Sequence, residues 1–223
     1  MFKRSKLQQR SEREAGELVQ LRPPEPMQFL GGFRVYVVNE ACHVQGALDS
    51  LRASMTDRVV GIDLEWRPDI GRSQKHKVAL MQLASSTCAV LIRTCRMDTL
   101  PACLNAFLQD PSTALVGFSW DAADENKARS SFGLGRKNFG LFYDAQKIAA
   151  QLSYSRFGLG RLCEAILGLD LPKPKHVTMS DWEQKALSQQ QIVYAALDAL
   201  VTGQLFRGLR LLHSDSSWGL SSS

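Results

Sequence analysis

Short β-branched or apolar runs alternate with helix-length segments along most of this chain, and that alternation restricts it to folds in which helices cover a sheet. Runs 33–38, 59–66, 77–84, 88–93, 114–118 and 139–144 read as strands. Segments 41–55, 100–108, 121–131, 145–152, 159–168 and 189–212 read as helices. Ser85-Ser86-Thr87 joins two of the strands as a hairpin connection. The expectation is one α/β domain over 31–213, built as a mixed sheet flanked by helices. Residues 1–30 read as a polar leader and 214–223 as a flexible tail.

Composition agrees with a single folded core. The 223 residues are 44% hydrophobic and 22% charged, close to globular averages. No uninterrupted apolar run approaches ~18 residues, so no transmembrane span is expected. The net charge of +5 suits a polyanionic partner without requiring one. Cys42, Cys88, Cys95, Cys103 and Cys163 are odd in number and form no C-x-x-C, which argues against a disulfide scaffold or thiolate zinc site and points to a reducing, intracellular compartment. The four histidines lack metal-ligand spacing, so any metal is expected to be held by oxygen. The pentapeptide Phe-Gly-Leu-Gly-Arg occurs at 132–136 and 157–161, but neither copy continues into a phosphate-cradling loop, and turn chemistry accounts for both.

Three places carry chemistry. In 59–66, alternation puts Asp63 and Glu65 on one strand face, about 6.6 Å apart along the chain. Carboxylates so placed repel one another in a partly buried site unless a cation or proton intervenes; a solvated acidic face is the other reading. In the closing helix, Tyr194, Asp198, Val201, Leu205 and Leu209 form one stripe, so Asp198 interrupts an apolar face. It needs either a basic partner or a metal. Asp121 follows the 114–118 strand where the chain enters a helix, a place suited both to an N-cap and to a site at a strand end. Trp120 beside it fits either a base-stacking surface or the core.

Together, Ile62-Asp63-Leu64-Glu65-Trp66, then Val116-Gly117 with Asp121, then Tyr194-Ala195-Ala196-Leu197-Asp198 resemble the three motifs of the DEDDy exonucleases. The resemblance is nearest to the branch with the Werner-type exonuclease domain, the exonuclease 3′–5′ domain-containing proteins and RNase D. Leu80-Met81-Gln82-Leu83-Ala84 and Ser180-Asp181-Trp182 extend it. It implies an RNase H-like fold, with Asp63, Glu65, Asp121 and Asp198 as metal-binding acids and Tyr194 positioning the attacking water. Val193 stands where the histidine subclass would place its His. Relatives often carry Lys three residues after the second-motif aspartate; here Asp124 occupies that position, Lys127 is the nearest lysine, and Asp124 is a rival to Asp121.

By that resemblance the chain is a 3′–5′ exonuclease acting on single-stranded or 3′-ended DNA or RNA, not on a membrane, and releasing nucleoside 5′-monophosphates with two divalent cations, Mg²⁺ or Mn²⁺. Hard cations suit carboxylate ligands and stabilise charge developing on phosphodiester oxygens. Two other readings are a nucleic-acid-binding module on the same fold with weak catalysis, and a hydrolase of small phosphoesters. Arg67, Arg72, Lys75, Lys77, Lys173 and Lys175 are candidates for tracking phosphates.

Overall fold

The computed structural model describes residues 25–28, 32–69, 71, 75–155 and 157–213. The leader is described only at its end, and the tail lies outside the described residues. Among the described residues seven strands form one sheet: β1 (Met27–Gln28), β2 (Arg34–Val38), β3 (Val59–Trp66), β4 (Val78–Ala84), β5 (Cys88–Ile92), β6 (Ala114–Gly117) and β7 (Leu141–Asp144). Their order is β1-β2-β5-β4-β3-β6-β7. The β3–β4 and β4–β5 pairs are antiparallel, whereas β3–β6 and β6–β7 are parallel, so the sheet is mixed, as expected. Strand β1 falls inside the segment expected to be leader: Met27 and Gln28 pair antiparallel with β2 at the sheet edge.

Helices cover both faces. On one lie α1 (Val44–Ala53), α2 (Ala102–Leu108) and Ala128 of α3 (Ala122–Phe132), packed on Val60, Ile62 and Leu64 of β3. On the other lie α4 (Ala145–Gln151), α5 (Leu159–Leu167), the short α6 (Lys175–Thr178) and the long α7 (Gln189–Leu212). Burial from both sides explains why β4 and β5 are continuous apolar runs with no polar alternation apart from Gln82. The sequence pattern missed α6, which is a single turn, and merged the 3₁₀ turn Ala41–His43 into α1. The two Phe-Gly-Leu-Gly-Arg copies do opposite jobs. Gly133 closes α3 in a left-handed conformation (φ 69°), and Gly158 opens α5 as its N-cap.

The 24-residue α7 is long and apolar enough to cross a bilayer, yet most of that stretch is buried against this sheet, which makes it the domain's core helix. It starts at Ser188, whose Oγ accepts from the Gln191 backbone N–H at 3.2 Å while Gln191 Oε1 accepts from the Ser188 N–H at 2.9 Å. It then crosses β3 at Gly61, where a side chain's first carbon would overlap the Ala199 carbonyl oxygen. That close approach sets the height of Asp198 above β3. Gly61→Ala should therefore cost about 3 kcal/mol or more, the upper end of overpacking penalties, measured as a lower denaturant midpoint.

Candidate functional site

Strand β3 and helix α7 bring three of the expected acids together. One carboxylate oxygen each from Asp63, Glu65 and Asp198 lies within 4.8 Å of the others. Asp198 is only 3% exposed, so a charge there is cut off from hydration and needs a partner. Its Oδ2 accepts from Lys173 Nζ at 3.1 Å, while its Oδ1 has no partner among the described residues. Lys173 comes from the segment between α5 and α6, and its ammonium also sits 5.9 Å from the centre of the Tyr194 ring. Burial, followed by the charge of Asp198, pushes Asp63 up to about 7. Burial and then the charges of Asp63 and Asp198 push Glu65 up to about 10. An all-oxygen, mutually repelling set with an unpartnered buried oxygen fits a hard divalent cation.

These raised acids make stability pH-dependent. Each holds its proton better folded than unfolded, so its contribution is full below the ordinary values of 3.8 and 4.5 and is lost as pH climbs through about 7 for Asp63 and about 10 for Glu65. In EDTA the melting temperature should fall as pH rises across that window, and excess Mg²⁺ should restore it most at the alkaline end, where protons compete least for the ligands. A metal-free melting temperature that climbs over the same range would contradict this account.

Tyr194 sits one turn before Asp198 on α7. Its ring packs 6.1 Å from that of the fully buried Trp182. Burial first, then the adjacent Asp198 carboxylate, drive its phenol far above its ordinary value, with Glu65 and Asp63 adding to the effect. The hydroxyl therefore stays protonated at any working pH and keeps its proton available to donate.

Asp121 is not brought into this group. It is exposed and N-caps α3, its Oδ1 accepting from the backbone N–H groups of Ala123 at 2.5 Å and Asp124 at 3.3 Å. Asp124 also lies outside the group of three, but its charge adds, as the smallest of the contributions, to raising Asp63 and Glu65, whereas that of Asp121 acts on Asp124. Asp124 is itself pushed up to about 6, chiefly by burial, and its Oδ2 accepts from the Asp121 N–H at 3.0 Å. Two long-range contacts set this orientation. Lys127, three residues on, donates to Asp69 at 2.7 and 2.9 Å and pins α3 to the exit of β3. The buried Asp144 accepts from the Ser119 and Trp120 N–H groups at 3.2 and 3.1 Å, holding the turn out of β6.

Comparison with known proteins decides the family. A profile described as 3'-5' exonuclease matches residues 40–212. The chain belongs to the 3'-5' exonuclease family. It is 32% identical over 181 residues to Exonuclease 3'-5' domain-containing protein 2 of Drosophila melanogaster, covering 79% of this chain and 30% of that protein. It is 29% identical over 166 residues to a 3'-5' exonuclease of Arabidopsis thaliana, covering 73% and 56%. The chain thus spans between about a third and just over half of these two curated relatives. Among solved structures, Escherichia coli RNase D superposes with a TM-score of 0.69 at 22% identity, over 82% of this chain and 46% of that one, which shows a shared RNase H-like fold.

Within this exonuclease domain several residues matter that the motifs do not flag. Arg93, 1% exposed, donates to the backbone carbonyls of Lys185 (3.0 Å), Trp182 (3.5 Å) and Gln184, and so anchors the loop that puts Trp182 under Tyr194. Nothing in its sequence surroundings signals that role. Asp124-x-x-Lys127, by contrast, has the aspartate-to-lysine spacing common in relatives, and reading it in that register would have favoured Asp124. Trp120 belongs to the core, edge-on to Phe139 and Phe142 at 5.8 and 5.3 Å.

Of the basic candidates among the described residues, Lys173 alone makes an ion pair with the acids. Arg67 lies 3.9 Å from Asp181, Lys75 and Lys77 line a separate cavity of about 430 Å³ with His76 and Glu183, Lys175 opens α6, and Arg72 falls outside the described residues. Glu40, Cys42 and His43, just before α1, also approach one another, but on the surface within a single turn.

Proposed function

We propose that this domain hydrolyses phosphodiester bonds at nucleic-acid 3′ ends, releasing nucleoside 5′-monophosphates, with two divalent cations held by Asp63, Glu65, Asp198 and Asp124. The observation that carries the reading is the meeting of β3 and α7, which gathers the buried Asp198 and the half-buried Asp63 and Glu65 with a protonated tyrosine one turn before Asp198. Bound Mg²⁺ or Mn²⁺ would neutralise the phosphodiester and activate water. The chain's own residues do the rest: the carboxylates fix the cation positions, and Tyr194 orients the attacking water by its hydroxyl. Beside Tyr194 and Asp198 lies a groove of about 260 Å³ whose lining includes Leu171, Pro172, Val177, Val193 and Leu197, apolar enough to take the face of a nucleotide. Family membership supports the polarity. Among similar folds, Brucella melitensis NrnC has been solved with bound Mg²⁺ and with pGG, and Trypanosoma brucei RNase D with RNA U12.

The deciding experiment incubates the protein with 5′-labelled DNA and RNA oligonucleotides in Mg²⁺, Mn²⁺ or EDTA. A descending ladder that EDTA abolishes is expected, and the faster ladder names the preferred sugar. Efficient cutting of a circular single strand would overturn the exonuclease reading, and tight binding without turnover would favour a binding module.

Asp124, rather than Asp121, is proposed as the fourth acid. Asp124→Asn should cut turnover by roughly 10²–10³-fold, the scale of losing one group that stabilises transition-state charge. Asp121→Asn keeps an N-cap and should stay within a few fold of wild type. The reverse order of defects in steady-state assays would return the role to Asp121.

A further inference from the structure

Gln82 lies mid-way along β4, fully buried, and in the antiparallel ladder it stands directly opposite Asp63. Opposed residues in such a ladder share a sheet face, with Cβ atoms about 4.5–5.5 Å apart. The Gln82 side chain therefore projects beside that of Asp63 on the face covered by α7. Its sheet neighbours on that face, Leu80 and Ala84, pack with Ala195, Ala196 and Ala199. Neither its amide nitrogen nor its amide oxygen has a hydrogen-bond partner among the described residues.

Such an arrangement is costly, because a buried amide that bonds to nothing loses its hydration without compensation. Gln191, also buried, shows the ordinary solution: its amide donates to Ser180 Oγ at 2.9 Å and to the Asp181 carbonyl at 3.2 Å, and its oxygen accepts from the Ser188 N–H at 2.9 Å. Leucine or methionine would fill the position of Gln82 in an otherwise apolar strand without that cost. Of the buried side-chain donors left unpaired among the described residues (on His76, Gln82, Arg93 and Arg207), the Gln82 amide is the one paired in the sheet with a candidate ligand. The Asp63 carboxylate, meanwhile, draws on the backbone N–H of its neighbour Leu64. Ligating carboxylates are generally held by a hydrogen bond from behind, which fixes the oxygen they present.

We propose that Gln82 is a positioning residue for the carboxylate centre, its amide N–H taking up the Asp63 carboxylate when the centre is loaded. This rests on the cation-binding reading above. In that state the buried amide gains its partner and Asp63 gains a fixed orientation, so the cost of burying Gln82 in the unloaded protein is offset on loading.

The test is Mn²⁺ titration calorimetry on the full chain without nucleic acid, together with melting temperatures in EDTA and in Mn²⁺. Gln82→Leu should weaken Mn²⁺ binding about 10–100-fold, the usual effect of losing a partner behind a ligand. Its melting temperature in EDTA should match or exceed that of wild type, because an unbonded buried amide has been removed, and the gain on adding Mn²⁺ should shrink. Wild-type Mn²⁺ affinity in Gln82→Leu would overturn the proposal while leaving the cation centre standing. A wild-type protein that binds no Mn²⁺ would remove the centre itself, and this proposal with it. Should Gln82→Leu fail to fold, Gln82→Asn keeps an amide but withdraws it by one methylene; weakened Mn²⁺ binding is again required, and unchanged affinity again refutes the role.

Discussion

Asp63→Asn should leave a folded, metal-free protein that melts higher than wild type in EDTA near neutral pH and has lost turnover by at least ~10³-fold. Both effects have one cause. Asp63 is pushed up to about 7 by burial and by Asp198, so near neutral pH its partial charge opposes folding in the absence of a cation. A neutral amide of the same shape removes that repulsion and removes a ligand at the same stroke. The melting curve of Asp63→Asn in EDTA should also flatten with pH between about 5 and 8 compared with wild type, since Asp63 supplies the loss over that window. A mutant that is inactive because it is unfolded, or one that cleaves normally, would each refute the assignment, and circular dichroism beside the nuclease assay tells the two apart.

Tyr194→Phe should lower turnover by roughly 10²–10⁴-fold, the range for losing a positioned proton-bearing group. The aromatic contact with Trp182 survives in phenylalanine, so stability and oligonucleotide affinity should change little. Because burial and the neighbouring carboxylates keep the phenol protonated, the role proposed for Tyr194 is that of a donor orienting water and not of a general base. Two signatures follow. Single-turnover cleavage of bound oligonucleotide carries the whole defect, and the pH–rate profile of the wild type shows no limb assignable to tyrosine ionisation. Near-normal single-turnover rates in Tyr194→Phe would reduce the residue to a core aromatic.

Much of the fold and most of the candidate site were legible in the sequence because both rest on short-range periodicity. Alternation along Val59–Trp66 put Asp63 and Glu65 on one face, and β3 has those bounds. The turn-spaced stripe on Gln189–Leu212 put Asp198 inward beside Tyr194, and Asp198 is buried there beneath an apolar helix face. Six of the seven strands were placed to within two residues. The exception, β1, is two residues long, too short for any alternation to register.

What the sequence by itself determined, then, is which residues share a face within one element, since backbone geometry repeats every two or 3.6 residues whatever the rest of the chain does. What only the tertiary structure decided is which faces meet and which partners each side chain finds there. Asp121 and Asp124 lie one turn apart and both suit a helix start; the set of α3 that separates them is held by Lys127 on Asp69 and by Asp144 on the preceding turn, contacts that span 58 and 24–25 residues. Lys173 reaches Asp198 across 25 residues, and Arg93 holds the Trp182 loop across about 90. Gln82 acquires its place opposite Asp63 only through the register of two strands. Each of these depends on chain segments brought together by core packing, and no local period in the sequence encodes such a meeting.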